Sequence, residues 1–270
     1  MNVIGLLLTW NNLEFFKCSL TQALEFCDEV ILVEGCHSCK FPKRSTDGTC
    51  EYIETMRTHP KLQVADFSHA SNYQETQRLI RAEFPKHSPH YKPGNWVFHW
   101  DDDVFFIRRD LQEMRHVMER TDRDSLSIQA RHFFYNFRFN IKQNDKGWVF
   151  RVVDGSRLKR ISSHYYSDDT PYNTVQMENG ITAFHYGYVK RPERMKARWT
   201  MSVEKGTGVS KDRFEKWMEV SWGKDEDIHE SEETICGFMI GGRFNIYNGI
   251  HPEALDNHPW RHIDDVRRVE

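Results

Sequence analysis

Three consecutive carboxylates, Asp101, Asp102 and Asp103, stand directly behind the aromatic run Trp96-Val97-Phe98-His99-Trp100. Side chains alternate along an extended chain, so Asp101 and Asp103 share one side and Asp102 faces the other. Two carboxylates on one side repel one another unless a cation stands between them. Oxygen ligands of this kind suit Mg²⁺ or Mn²⁺, which keep one or two protein carboxylates and complete their shells with phosphate oxygens and water. Asp102, taken alone, reads as a solvated acid of a turn. A second cluster, Cys36-His37-Ser38-Cys39 with Cys50 nearby, has the spacing of half a zinc site. No second Cys pair matches it, since Cys18, Cys27 and Cys236 stand apart, so it reads as reduced thiols in a loop, with a three-ligand site through His37 as the alternative.

These groups need a scaffold, and the first 120 residues supply an alternating one. Residues 3–8 and 30–33 are continuous apolar runs, as expected of strands buried on both faces. Between them, Phe16, Leu20, Ala23, Leu24 and Cys27 keep helical spacing. Ser45-Thr46-Asp47-Gly48-Thr49 has the character of a turn into a helix with Tyr52, Ile53 and Met56 inward. Residues 62–67 read as a third strand, 73–84 as a helix, and 96–100 as a fourth strand running into the three acids. Asp110 and Glu113 resemble a capping box opening another helix. Such alternation predicts an α/β fold, a mostly parallel sheet flanked by helices, with ligands at the carboxyl ends of the strands.

Beyond Ser125 the texture changes to aromatic and β-branched segments at 128–139, 148–153 and 181–189, expected to form mixed or antiparallel strands. A helix follows Pro192 with Met195 and Trp199 inward, then Phe214, Trp217 and Met218, and a loop-rich tail covers 241–260. In that tail His251 and Trp260 read either as an acceptor-site wall or as a loop packed on the domain. No repeat or strong linker divides the chain, so residues 1–270 are expected to form one domain, with a ligand-binding half at 1–120 and a C-terminal elaboration at 121–270.

The 270 residues carry 37 basic and 40 acidic side chains, a net charge of −3, which disfavours a protein that grips nucleic acid along a basic track. Hydrophobic residues at 39% exclude a disordered chain. No apolar run approaches bilayer length, and a signal-peptide pattern is missing, so a soluble, cytoplasmic protein without a transmembrane anchor is expected.

Taken in order, the strand with Asn11-Asn12-Leu13-Glu14, the strand ending in Glu34, Ser45-Thr46-Asp47-Gly48-Thr49, and Trp96-Val97-x-x-x-Asp101-x-Asp103 resemble a GT-A glycosyltransferase of the family 2 type over residues 2–120. The resemblance implies a GT-A, Rossmann-like fold and a hexosyltransferase-type activity. It also implies a nucleotide-sugar donor, with a UDP-sugar favoured, a divalent metal (Mn²⁺ or Mg²⁺), and inversion at the anomeric carbon. By position, Thr9 and Asn11 would lie at the nucleotide, Glu34 would hold base or ribose, and Asp47 would belong to the loop closing over the base. Arg78, beside Gln77, would approach the nucleotide or remain a solvated helix charge. Asp101 would touch ribose or metal, Asp102 would join the donor-contacting segment, and Asp103 would be the principal metal ligand.

Later in the chain, the resemblance points to His185 as a metal or diphosphate contact, the alternative being a core-edge histidine. Lys190, Arg191 and Arg194 would neutralise the departing diphosphate. An inverting enzyme needs a general base, and the resemblance implies that it lies between these two regions. Asp168 and Asp169, in the polar loop Ser167-Asp168-Asp169-Thr170-Pro171, are preferred, with Glu178 as rival. The sequence departs from the pattern in its long connection from Gly35 to Arg44, in Val104 after Asp103, and in Tyr165 after His164. Candidate acceptors are a glycan, a lipid-linked sugar, a protein or a modified nucleobase. A metal-dependent phosphohydrolase or nuclease is the alternative, since clustered Asp and fourteen His could bind two metals.

Overall fold

The computed structural model describes residues 1–36, 40–65, 84–144, 149–152, 159–161, 164–166, 174–176, 181–204, 212, 215, 233–234 and 242–268. Its first half is the expected alternation: β1 (Val3–Thr9), α1 (Leu13–Phe26), β2 (Glu29–Glu34), α2 (Thr49–Met56), β3 (Leu62–Ala65) and β4 (Trp96–Asp101). β1 is buried at every position because it has apolar partners on both faces. Val3 and Leu7 join Phe16, Leu20 and Leu24 of α1, whereas Ile4, Leu6 and Leu8 join Ile31, Val33, Val97 and Phe150 on the other side. Each such aliphatic side chain contributes roughly 1.5–3 kcal/mol when fully buried, so a polar residue in place of any of these five of β1 would lose that.

β5 (Val104–Phe105), α3 (Arg108–Arg120), β6 (Ser125–Ser127), β7 (Gln129–Phe134), β8 (Phe139–Asn144) and β9 (Val149–Arg151) follow. After them come β10 (Lys159–Ile161), β11 (His164–Tyr166), β12 (Thr174–Gln176), β13 (Thr182–Tyr188) and α4 (Pro192–Glu204). β14 (Glu233–Thr234), β15 (Gly242–Arg243) and β16 (Asn245–Ile246) complete the strands. The larger sheet has the order β12-β6-β9-β4-β1-β2-β3, parallel from β4 through β3, with β9 antiparallel to both β4 and β6. A second sheet, β16-β8-β7-β13-β5, pairs β7 and β13 in parallel and β5 against β13. Two short ladders, β10-β11 and β14-β15, are separate. The architecture is thus α/β, mostly parallel in the larger sheet, with mixed strands in the later half.

Three expectations are corrected. The fourth strand does not continue through the acids: β4 ends at Asp101, and residues 102 and 103 turn the chain into β5 of the second sheet. Alternation therefore stops at Asp101, and strand geometry does not put Asp101 and Asp103 on one side. α3 begins at Arg108 rather than at Asp110, so the capping box does not form; Asp110 sits in the first turn and accepts the backbone N–H of Thr182. Phe84 opens a short 3₁₀ turn, Phe84–His87, rather than ending a helix, while residues 66–83, including the rest of that predicted helix, lie outside the described residues, as do Phe214, Trp217 and Met218.

The second sheet carries its own aromatic core. Phe15, Phe105, Phe133, Phe137, Phe184 and Tyr186 pack with Leu255, Trp260 and Val266 of the C-terminal segment. Tyr186 donates or accepts a hydrogen bond with His251 Nδ1 at 2.6 Å, and Trp260 meets Phe15 edge-on. Of the two readings of the tail, the packed loop is the one observed for Trp260, which is buried. No helix among the described residues is long and apolar enough to cross a membrane.

Candidate functional site

The turn after β4 carries Asp103 to the seam between the two sheets, where it meets residues that follow β13. Lys190 Nζ lies 3.1 Å from its Oδ2, Arg198 Nη1 of α4 lies 3.2 Å from the same oxygen, and His185 Nε2 lies 3.2 Å from Oδ1. Asp103, His185 and Lys190 are all buried. Lys190 Nζ also donates to Asn12 Oδ1 at 2.8 Å, and Arg198 Nη1 donates to the Gly187 carbonyl at 2.6 Å. Gly187 is required by close approach: a β-carbon there would overlap His185 Nε2 and Arg198 Nη1. The pairing of β13 with β7 is irregular between His185 and Tyr188, which brings that bare backbone under the guanidinium.

Burial raises the Asp103 carboxyl, but Lys190, His185 and Arg198 outweigh that cost and hold it well below the usual carboxylate range. Its neighbour goes the other way. Asp102 is pushed up to about 7 by burial and by the Asp103 charge, although Lys190 and the Thr9 hydroxyl act against the rise. Thr9 Oγ1 donates to Asp102 Oδ2 at 2.6 Å. Asp102 is therefore a half-buried, hydrogen-bonded acid tied to the end of β1, not a solvated turn residue. Two adjacent carboxyls cannot both ionise freely in so dry a setting, and the cations select Asp103.

The ends of β1 and β2 build a loop beside this centre. Asn11 has φ +46, a left-handed conformation that Asn tolerates better than most residues. Its N–H donates to Ser45 Oγ at 2.7 Å and its Oδ1 accepts from Thr46 N–H at 2.6 Å. Glu34, buried at the end of β2, accepts from Ser45 N–H at 2.7 Å and pairs with Arg44 at 2.8 Å. Asp47 stands at neither N-cap but holds the first N–H of two helices: Oδ2 accepts from Leu13 N–H at 3.0 Å and Oδ1 from Thr49 N–H at 3.1 Å. Gly48, with φ +92, supplies the left-handed residue this turn needs. Glu34 and Asp47 thus use their oxygens to shape residues 43–49.

Asp103 and His185 bring together a carboxylate and an imidazole, groups of the kind Mn²⁺ takes, but both are engaged here, the carboxylate by Lys190, Arg198 and His185 and the imidazole by Asp103 and His132, so a cation would have to displace those partners. Asp101 does not complete a triad with them, since no three His, Cys, Asp or Glu side chains gather to hold a metal among the described residues. The turn at 102–103 is the physical reason, because it swings Asp103 toward β13 and away from the line of β4. Lys190 is turned inward onto Asp103 and Asn12, and Arg194 donates to the Trp10 carbonyl at 2.7 Å with its guanidinium over the Trp10 ring. Cys36 is buried against Met201, with Sγ and Sδ 3.6 Å apart, and Cys50 lies against Arg44, so these two do not share a site. Arg78, Asp168, Asp169, Glu178, His37 and Cys39 lie outside the described residues.

Two residues of this centre were not singled out by sequence reasoning. Arg198 was legible as the third cation at four-residue intervals, after Lys190 and Arg194. His132, whose Nδ1 lies 2.5 Å from His185 Nδ1, falls on one face of β7 with Ala130 and Phe134, and nothing in its local pattern marks it.

No protein-family model and no curated protein matches the chain. Among solved structures it is similar to residues 1–349 of TarS from S. aureus, at 13% identity and TM-score 0.46, over 76% of this chain and 65% of that one. A longer TarS structure gives 13% and 0.47, over 76% and 39%. The mannosyltransferase PcManGT from Pyrobaculum calidifontis, in complex with GDP-Man and Mn²⁺, gives 14% and 0.41, over 75% and 62%. The chain spans less than two thirds of the length of each of these three.

Proposed function

We propose that this chain transfers a sugar from a nucleotide-sugar donor, a UDP-sugar first among them, to an acceptor with inversion. The observation that carries this reading is Asp103: a buried, ionised carboxylate behind the central strand of a mostly parallel sheet, held by Lys190, Arg198 and His185. The ordered motifs around it support the same reading. Asp103 and His185 would hold a divalent cation, Mn²⁺ or Mg²⁺, which when bound supplies Lewis acidity to the departing diphosphate. Asp101 and Asp102 would flank the donor from the β4 turn, and Thr9 keeps Asp102 in place. Asn11, Glu34 and Asp47 would act on the nucleotide through the loop at 43–49, whose shape they fix. Arg78 remains a candidate nucleotide contact. Lys190 and Arg198 keep Asp103 charged and add positive potential where negative charge grows. Asp168, Asp169 or Glu178 would take the acceptor proton. The acceptor is a glycan, a lipid-linked sugar, a protein or a modified nucleobase.

The test is release of nucleoside diphosphate from a panel of UDP- and GDP-sugars by purified protein with Mn²⁺, with and without EDTA. Slow donor hydrolysis that EDTA stops supports the reading. Cleavage of plain nucleic acid with no action on any donor would replace it with the phosphohydrolase alternative.

A further inference from the structure

His132 and His185 sit opposite one another on the parallel pair β7 and β13, their rings nearly perpendicular at 86°. Only 6% of His132 and 8% of His185 are exposed. At 2.5 Å the two Nδ1 atoms hold a single proton between them, because two lone pairs or two N–H groups would repel. The far side of His185 decides which ring owns it. An imidazolium at His185 would donate from both nitrogens; in the neutral ring, whose Nε2–H ionised Asp103 accepts, Nδ1 is bare and His132 donates from its own Nδ1. His132 Nε2 is then a buried lone pair, and it has no hydrogen-bond partner among the described residues.

We propose that His132 is a positioning residue: by donating to His185 Nδ1 it fixes the orientation of that ring and the nitrogen it presents to Asp103. The chain Asp103–His185–His132 then behaves as one unit, in which the state of His185 Nε2 is matched by that of His132 Nε2. Any ligand on His185 Nε2 requires the opposite tautomer in both rings. The consequence for turnover rests on the site proposed above; the tautomer assignment does not.

Long-range ¹H–¹⁵N correlation spectra of the full chain, labelled at histidine and free of added metal, test the assignment. His132 should be the Nδ1–H tautomer and His185 the Nε2–H tautomer, with scalar coupling across the shared proton. Either ring in the other tautomer, or no coupling, overturns it. In turnover assays His132→Leu should lower kcat by roughly 10–100-fold. His132→Asn, whose amide can still donate to His185 Nδ1, should recover most of that loss at the same melting temperature. Equal losses in the two variants would reduce His132 to a core residue and sink the proposal. Should His132→Leu fail to fold, His132→Ala takes its place. A wild-type protein inactive on every donor would remove the proposed function, while the spectra would still decide this inference.

Discussion

Lys190 donates to Asn12 across 2.8 Å, joining the corner after β13 to the corner before α1, 178 residues earlier in the chain. The same ammonium is 3.1 Å from Asp103, so three separate corners of the fold converge on one buried cation. Burial lowers the Lys190 pKa, and Asp103 and Asp102 oppose that fall. Neither partner is comfortable alone.

Lys190→Met should therefore cost stability as well as activity. Stranding one member of a buried pair costs about 3–5 kcal/mol, and since Arg198 and His185 still face Asp103 the loss here should fall below that range. Asp103→Asn should also lose activity, and the Asp103→Asn, Lys190→Met double variant should be more stable than the sum of the singles implies. Chemical denaturation of all four proteins measures the coupling; strict additivity would mean that the two charges are independently solvated.

Asp47→Ala should release the first N–H of α1 and of α2 together. Each lost hydrogen bond to a first-turn N–H is worth about 0.5–1.5 kcal/mol, so a fall of about 1–3 kcal/mol is expected. Since the loop at 43–49 would loosen, donor KM should rise more than kcat falls. Asp47→Asn, which keeps one acceptor oxygen, should lie between. Unchanged stability in Asp47→Ala would show that these hydrogen bonds contribute nothing.

The C-terminal segment should loosen in acid. Burial, and to a lesser degree Lys190, pushes His258 down to about 3, while burial, Arg261 and Arg131 push His251 down to about 4. Both rings are held neutral in the folded chain. A depressed folded pKa means that the stability is complete above the ordinary value of 6.5 and is lost as pH falls toward the folded value. Near pH 5, buried His258 should add about 1.4 kcal/mol per pH unit to the slope of stability. His258 stacks on Phe15 at 4.2 Å and its Nδ1 accepts from Trp260 N–H at 3.1 Å, so His258→Phe should keep the stacking, lower the melting temperature at neutral pH by the lost hydrogen bond, and flatten the slope. Melting temperature against pH for both proteins checks this; parallel curves would be the contrary result.

Gly187→Ala should lower activity. A β-carbon there displaces His185 and Arg198, leaving Asp103 with Lys190 alone. Retained turnover with normal donor KM would place the reacting centre elsewhere.

The elements of the first half were legible because their periods are strong. β1 and β2 are apolar runs with cores on both faces, and the spacing of Phe16, Leu20 and Leu24 allows only one helix face. The site was half legible. Asp103, His185 and Lys190 stand out by type and position, whereas the turn at 102–103 is decided by the pairing of β5 with β13, eighty residues away in sequence. The antiparallel wedge of β9 between β4 and β6 is likewise a long-range choice, since its short segment looks like any edge strand. His132 acquires its meaning only from the register that sets it against His185.

The bare backbone at Gly187 makes this centre recognisable in other chains. Any side chain at that point would stand where an imidazole nitrogen and a guanidinium now meet, so the two must part for a substitution to fit there. An unfamiliar sequence that keeps an aspartate two residues beyond a central strand, followed later by histidine, one spacer, glycine, then lysine three and arginine eleven positions on, has the parts of the same polar knot. One with a larger residue in place of that glycine has lost it, however well the rest of its strands align.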